Sequence, residues 1–370
     1  MGNQAYCACE TTGGQAVGKM VPSCVFTALP QEILIQIFSE LHQSSKKDLQ
    51  SLAFTCKRLH AIGQQFMISE VNVSWHLLDI FHAKVQTSLY PLISYITSFS
   101  ITIPSSWGEW HRSEVLQDVL EKCFNICFLQ LTLSGSSKWL QYLSPNTNIR
   151  QLKLISSQAS SRIALFDVAD LHAFKAVEEL QLDYFRLQCE YPIEERAVPL
   201  LNTVNVLEIL NCEWDYPFNM SLFRNLKVLN VNYTIKSEAF TFSERLKNLA
   251  SHPPTTVKRL ILHLDLFSPV RQKSWYPTLR ECTDLEFVSL KGFRRPPIEF
   301  FEALPDSLTV VELFFSSKNF FDSPYPVTFY DNTGGPIISK YGSKTIRLMR
   351  SNTPMVLAAR DMRTLNISSI

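Results

Sequence analysis

Nine cysteines, Cys7, Cys9, Cys24, Cys56, Cys123, Cys127, Cys189, Cys212 and Cys282, are the residues most able to do chemistry. As thiolates they would serve as nucleophiles or zinc ligands. Their spacing argues against both, because no CxxC pair occurs. Cys123 and Cys127 sit one helical turn apart, but no His or second Cys pair completes a site. The odd number speaks against a disulfide framework. The cysteines therefore read as small buried hydrophobes in a reducing compartment. Gly13, Gly18 and Lys19 have phosphate-loop spacing, yet Met20 stands where a Ser or Thr would hold magnesium, and no apolar strand precedes the loop. Met1-Gly2 with Cys7 and Cys9 hints at acylation, but Tyr6 occupies the position that wants Ser or Thr. No GxSxG, HExxH or GxGxxG run is present. The eight His are scattered, and His60, His172 and His252 fall in expected helices or loops. Without a nucleophile beside a base, the chain reads as non-catalytic, with no metal and no cofactor expected.

The elements that could carry a binding function are bounded by composition. The chain has 370 residues, 46% hydrophobic and 19% charged, which excludes a wholly disordered or fibrous protein. With 35 Lys+Arg against 34 Asp+Glu, it offers no field to attract nucleic acid or an anionic membrane. No apolar run reaches the length of a membrane span, and the start lacks the basic-then-apolar pattern of a signal peptide. Residues 1–24 are expected to be a flexible leader, and the protein cytoplasmic, nuclear or both.

A strong local signal begins at Leu29-Pro30. Pro suits a helix start, and Ile33, Leu34, Ile37, Phe38 and Leu41 then share one helical face. Ser45-Lys46-Lys47-Asp48 has the form of a capping box, so a second helix should follow with Leu49, Leu52, Ala53 and Cys56 on its apolar side. A third short helix would carry Leu59, Ile62 and Phe66. Roughly 40 residues bury little core alone, so the module leans on a partner or caps a larger domain.

The string LPQEILIQIFSELHQSSKKDLQSLAFTCKRLHAIGQQFMISEV resembles an F-box, with its Leu-Pro-x-Glu-Ile opening, Ile-Phe pair, Asp-Leu and Cys-Lys-Arg. The tail from Phe66 to Val73 is similar to the version found in fungal F-box proteins. The resemblance implies docking on the Skp adaptor of a cullin–RING ubiquitin ligase, with a cullin scaffold behind it. Carried over by position, the adaptor-binding residues would be Leu29, Pro30, Ile33, Leu34, Ile37, Phe38, Leu41, Leu49 and Leu52. About half of them should touch the adaptor and the rest fill the module's own core.

Beyond residue 66 a pattern of apolar-x-x-apolar-x-apolar recurs ten times, starting at Ile68, Ile96, Ile126, Ile149, Val177, Val204, Leu226, Val257, Leu285 and Leu308. The gaps run from 22 to 31 residues. Intervening stretches, such as 111–123 and 237–250, have helical periodicity. Strand and helix alternating at about 27 residues is the period of leucine-rich repeats. The resemblance is to irregular members, because the polar ladder after each strand is degraded: Ser134, Ser157 and Cys212 keep it, but Phe185 and Phe293 break it. The expected fold is thus α/β: a short three-helix F-box at 25–67, then a leucine-rich-repeat solenoid of about ten irregular repeats at 68–318. Parallel strands would line the concave face and helices the convex face. Residues 319–370 would form a C-terminal cap or a partly disordered tail.

Strand alternation sends the second and third apolar residues of each triplet inward and their neighbours outward. The outward set offers an unidentified protein substrate Glu179, Asp183, Glu208, Leu210, Arg259, Ile261, His263, Phe287 and Phe314. The apolar members of this face either bind a partner or lie under the C-terminal tail. The expected function is that of a substrate-recognition subunit of an SCF-type ligase. The alternative is a non-catalytic repeat scaffold acting outside a ligase.

Overall fold

The computed structural model describes residues 29–87, 90–104, 111–135, 137–145, 148–157, 164–188, 202–214, 223–233, 254–264, 279–291, 300, 303–315, 337–341 and 344–350. They fall into two compact units, one within Met1–Ile101 and His111–Leu129, the other within Thr102–Trp110 and Gln130–Ile370. Expectations for 1–24, 237–250 and most of 319–370 lie outside the described residues.

The first unit opens with three helices, α1 (Gln31–Ser44), α2 (Lys46–Ala53) and α3 (Lys57–Met67). Pro30 is the N-cap of α1, and its carbonyl accepts from Leu34 N–H at 3.2 Å. Ser45 caps α2 by accepting from Asp48 N–H at 3.3 Å, as the capping-box spacing implied. Leu34, Phe38, Leu49, Ala53, Leu59 and Ile62 fill the core between the helices. Phe66 stacks on Phe38 with ring centroids 5.9 Å apart. Gly63 lies where α3 presses on this core. A Cβ there would come within 2.7 Å of Ala53 Cβ and 2.8 Å of Phe38 Cε1, so the helix crossing needs a residue without a side chain. Arg58 donates to Leu29 O at 3.0 Å and ties the start of α3 to the entry of α1.

Only Ile68 and Ser69 separate α3 from strand β1 (Glu70–Ser74). Helix α4 (Leu78–Gln86), strand β2 (Ser98–Ile103) and helix α5 (His111–Lys122) follow, then β3 (Phe128–Leu133). The expected helix at 111–123 is thus α5. It is bound to α4 by Asp118, which accepts from Lys122 at 2.7 Å and Gln86 at 3.2 Å and also meets His82. The entry of each strand repeats one motif. Thr97 and Ser98 N–H both donate to Ser69 O, and Cys127 and Phe128 N–H both donate to Thr97 O.

In the second unit the strands β4 (Gln151–Ser156), β6 (Glu179–Asp183), β8 (Val206–Leu210), β10 (Val228–Tyr233), β11 (Arg259–Leu264), β12 (Phe287–Lys291) and β13 (Val310–Phe315) pair parallel in chain order. A short second sheet holds β5 (Ala164–Asp167), β7 (Phe185–Gln188) and β9 (Glu213–Trp214), also parallel. The register aligns the triplets without a slip. Leu152, Leu180, Leu207, Leu229, Leu260, Val288 and Val311 form one row, and Leu154, Leu182, Ile209, Val231, Leu262, Leu290 and Leu313 another. All of these are buried. Such rows follow from period-2 alternation, since a one-residue slip would turn every Leu to the other face. Three helices followed by a long parallel sheet make an α/β fold consistent with a leucine-rich-repeat-like solenoid.

The sheet runs past residue 318. β14 (Ile337–Tyr341) pairs antiparallel with β15 (Lys344–Arg350), and β15 pairs parallel with β13. Ile346 and Leu348 extend the two rows opposite Val311 and Leu313. Part of the segment expected as cap or tail is therefore a further strand pair.

Polar inter-repeat bonds stand mainly before the strands. The residue preceding the first apolar of a triplet reaches back to a carbonyl of the previous repeat. Thr203 Oγ1 donates to Val177 O at 2.7 Å, Thr256 Oγ1 to Leu226 O at 2.9 Å and Ser307 Oγ to Leu285 O at 2.8 Å. Asn225 and Asn125 do the same with their amides, to Asn202 O at 2.6 Å and Ser94 O at 2.7 Å. These bonds satisfy carbonyls at the turn, where strand pairing has not yet begun. After the strands, Cys212 Sγ still approaches Leu182 O at 3.6 Å, while Phe185 packs its ring on Phe166 at 5.5 Å.

Candidate functional site

The helical face is built by a surplus of apolar residues over core volume. α1 carries Ile33, Leu34, Ile35, Ile37 and Phe38 within six positions, and a helix can turn only one stripe inward. The structure divides the residues expected to bind an adaptor. Leu34, Phe38 and Leu49 are sealed in the core and offer no surface to a partner. Leu29, Leu41 and Leu52 pack partly against that core. Pro30 and Ile33 are exposed, and Ile37 is half-buried. Ile33 keeps 40% of its surface, and two residues absent from the expected set join it: Ile35 at 37% and Phe54 at 70%. Ile35 was overlooked because it lies off the i, i+1, i+4, i+5 stripe. Phe54 follows the last residue of α2, outside any periodic pattern; a lone aromatic between Ala53 and the Cys-Lys-Arg run was its only signal.

Glu70 on β1 closes this region. It meets Lys46 of α2, and His42 of α1 at 3.3 Å. The Lys46 hydrogen bond, followed by the Lys46 and His42 charges, holds the Glu70 carboxyl below the usual carboxylate range against the opposing effect of burial.

The second surface is the outward face of the second unit's strands. Glu179 accepts from Gln151 on the neighbouring strand at 2.9 Å, and Glu208 from Asn230 at 3.3 Å. Burial pushes the Glu179 carboxyl up, and the charges of Glu208 and Glu178 add to it. Burial likewise raises Asp183, against a hydrogen bond from Asn211. Glu179, Asp183, Glu208 and Leu210 are all half-buried. Further along, Arg259 lies over the Phe287 ring at 4.1 Å, and His263 meets Phe314 edge-on at 5.1 Å. His263 Nε2 also pairs with Ser289 Oγ at 2.9 Å. Ile261 and His263, expected to face a substrate, are only 7% and 6% exposed. His263 is covered by its contacts with Phe314 and Ser289. The expected substrate set is therefore split: Glu179, Asp183, Glu208, Leu210, Arg259, Phe287 and Phe314 are partly open, whereas Ile261 and His263 are closed.

Burial pushes the Cys212 thiol up to about 12 and the Cys123 and Cys282 thiols up to about 11, so they stay protonated. Among the described residues, no group of three His, Cys, Asp or Glu could hold a metal ion. No helix among them is long and apolar enough to cross a membrane.

Comparison with known proteins bears on the helical face. No curated protein matches the chain. The F-box-like family matches residues 26–66, which span α1, α2 and nearly all of α3, including Phe54. The three-helix module with its excess of exposed apolar side chains is an F-box-like domain.

Proposed function

We propose that this chain is a substrate-recognition subunit of an SCF-type E3 ubiquitin ligase. The observation that carries the reading is the F-box-like match over a helical module that cannot bury its own apolar surface. Proteins with this domain are typically ligase adaptors and are generally non-catalytic. The helices α1 to α3 of the 25–67 module dock on the Skp adaptor, and through it the cullin, by Pro30, Ile33 and Ile37, with Leu29, Leu41 and Leu52 at the margin. Leu34, Phe38 and Leu49 hold the helices in place from inside. The repeats of 68–318 hold a protein substrate on the outward strand face, at Glu179, Asp183, Glu208 and Leu210 and on the rings of Phe287 and Phe314. Arg259 orients Phe287. The mechanism is proximity, which raises the effective concentration of the substrate at the ubiquitin carrier.

Co-purification tests this. The full chain should retain purified Skp adaptor and cullin, and Ile33→Ala with Ile37→Ala should release both without unfolding the protein. An adaptor that never binds, or binds both forms equally, ends the docking reading. An adaptor that binds while cullin does not would make the chain an interaction scaffold acting outside a ligase.

A further inference from the structure

We infer that Phe54 is an aromatic anchor of the adaptor-docking face, braced for that task by His60; the inference rests on the docking reading above. Phe54 is the most exposed large hydrophobic residue among those described, at 70%. A ring held this far into water has no role in the core, whose members are sealed without it. Nor does it hang from a mobile stem. It is the C-cap of α2, with its N–H bonded to Gln50 O at 3.0 Å, and the next residue, Thr55, closes the turn through N–H and Oγ1 bonds to Leu52 O. Its ring stacks on His60 at 5.7 Å with an interplanar angle of 28°, and His60 is steadied by Gln64 at 3.1 Å. A side chain already fixed in one pose loses little entropy on binding, and rigid exposed aromatics dominate the energetics of interfaces.

The occupant follows from position. Phe54 lies inside the F-box-like match. It sits at the α2–α3 corner, and Arg58 of α3 bonds back to Leu29 O at the entry of α1. That bond ties the start of α3, at Arg58 four residues beyond Phe54, to the chain entering α1, beside the exposed Pro30. His60 acts through Phe54 and is a positioning residue.

Binding of purified Skp adaptor to the full-length chain, measured by calorimetry beside thermal unfolding, tests the inference. Phe54→Ala should weaken adaptor binding by at least about tenfold with an unchanged melting temperature, since the ring supports no core. His60→Ala should weaken it less, by about two- to fivefold, and His60→Tyr should restore it by keeping the stack. A photo-crosslinking phenylalanine at position 54 should join the adaptor, which reads the contact directly even if Phe54→Ala perturbs the fold. Wild-type chain that binds while Phe54→Ala binds within twofold, or a position-54 crosslinker that never captures the adaptor, overturns the role of Phe54 alone. Wild-type chain that fails to bind overturns the docking reading together with it.

Discussion

The three-helix module and the parallel sheet use apolar residues in opposite ways. In the sheet, every second and third triplet residue from Leu152 to Leu313 is buried, and the rows stack Leu on Leu across neighbouring strands. Strand alternation sends these rows to one side, and the other side carries more polar residues, some of them, such as His263 and Ser289, buried among their neighbours. In the module, α1 presents Ile33-Leu34-Ile35 in succession, and only Leu34 is taken in. The surplus stays on the surface. Apolar excess lies on the surface in one region and in the core in the other.

Phe38→Ala should cost about 3–5 kcal/mol and Leu229→Ala about 2–5 kcal/mol, read by urea unfolding, because both are sealed side chains whose removal leaves a cavity. Equal tolerance at both sites would mean the buried rows are not the supports described. Gly63→Ala should destabilise by about 1–3 kcal/mol, since its Cβ would strike Ala53 and Phe38. A neutral result would show that α3 can retreat from the core. Thr203→Val should cost roughly 1 kcal/mol by leaving the Val177 carbonyl without its donor, and Asn225→Ala a similar amount at Asn202. Ile33→Ala should alter stability by less than about 0.5 kcal/mol while weakening adaptor binding, the reverse of Phe38→Ala, whose effect is on folding.

The two regions should also respond oppositely to pH. Glu70 has a lowered folded pKa, so its contribution is present above the unfolded carboxylate range and is lost as pH falls through the folded value. With both partners largely exposed, it is worth under about 1 kcal/mol. Glu179 and Asp183 are raised, so the folded state favours their protonated forms. Their effect is most favourable below the unfolded range and declines as pH rises through the folded values. Unfolding titrations on Glu70→Gln should lose the gain above the carboxylate range. Glu179→Gln with Asp183→Asn should flatten the decline, and an unchanged slope would mean those carboxylates are fully solvated.

Much of this was readable beforehand, for a reason visible in particular residues. A triplet such as Ile96, Phe99, Ile101 or Leu285, Val288, Leu290 records a local rule, that one side of a strand faces the core, and each of the ten triplets coincides with a strand. β15 escaped because Ser343 stands where the first apolar residue belongs, although Ile346 and Leu348 keep the other two positions. After the strands Phe185 breaks the polar ladder; the Thr, Ser and Asn that precede the triplets carry it instead, and a residue's type does not say which carbonyl it will reach. His263 looked outward by alternation and is closed over by Phe314, from two strands further along the sheet.

Local pattern alone carried the three helices of the module and the inward face of the ten triplet strands, because period and capping act over a few neighbouring residues. Only the tertiary structure decided which of three consecutive apolar residues in α1 entered the core, that Phe54 stayed out, and which outward strand positions remained open. Those outcomes depend on volume and on partners distant in the chain, and no local pattern carries them.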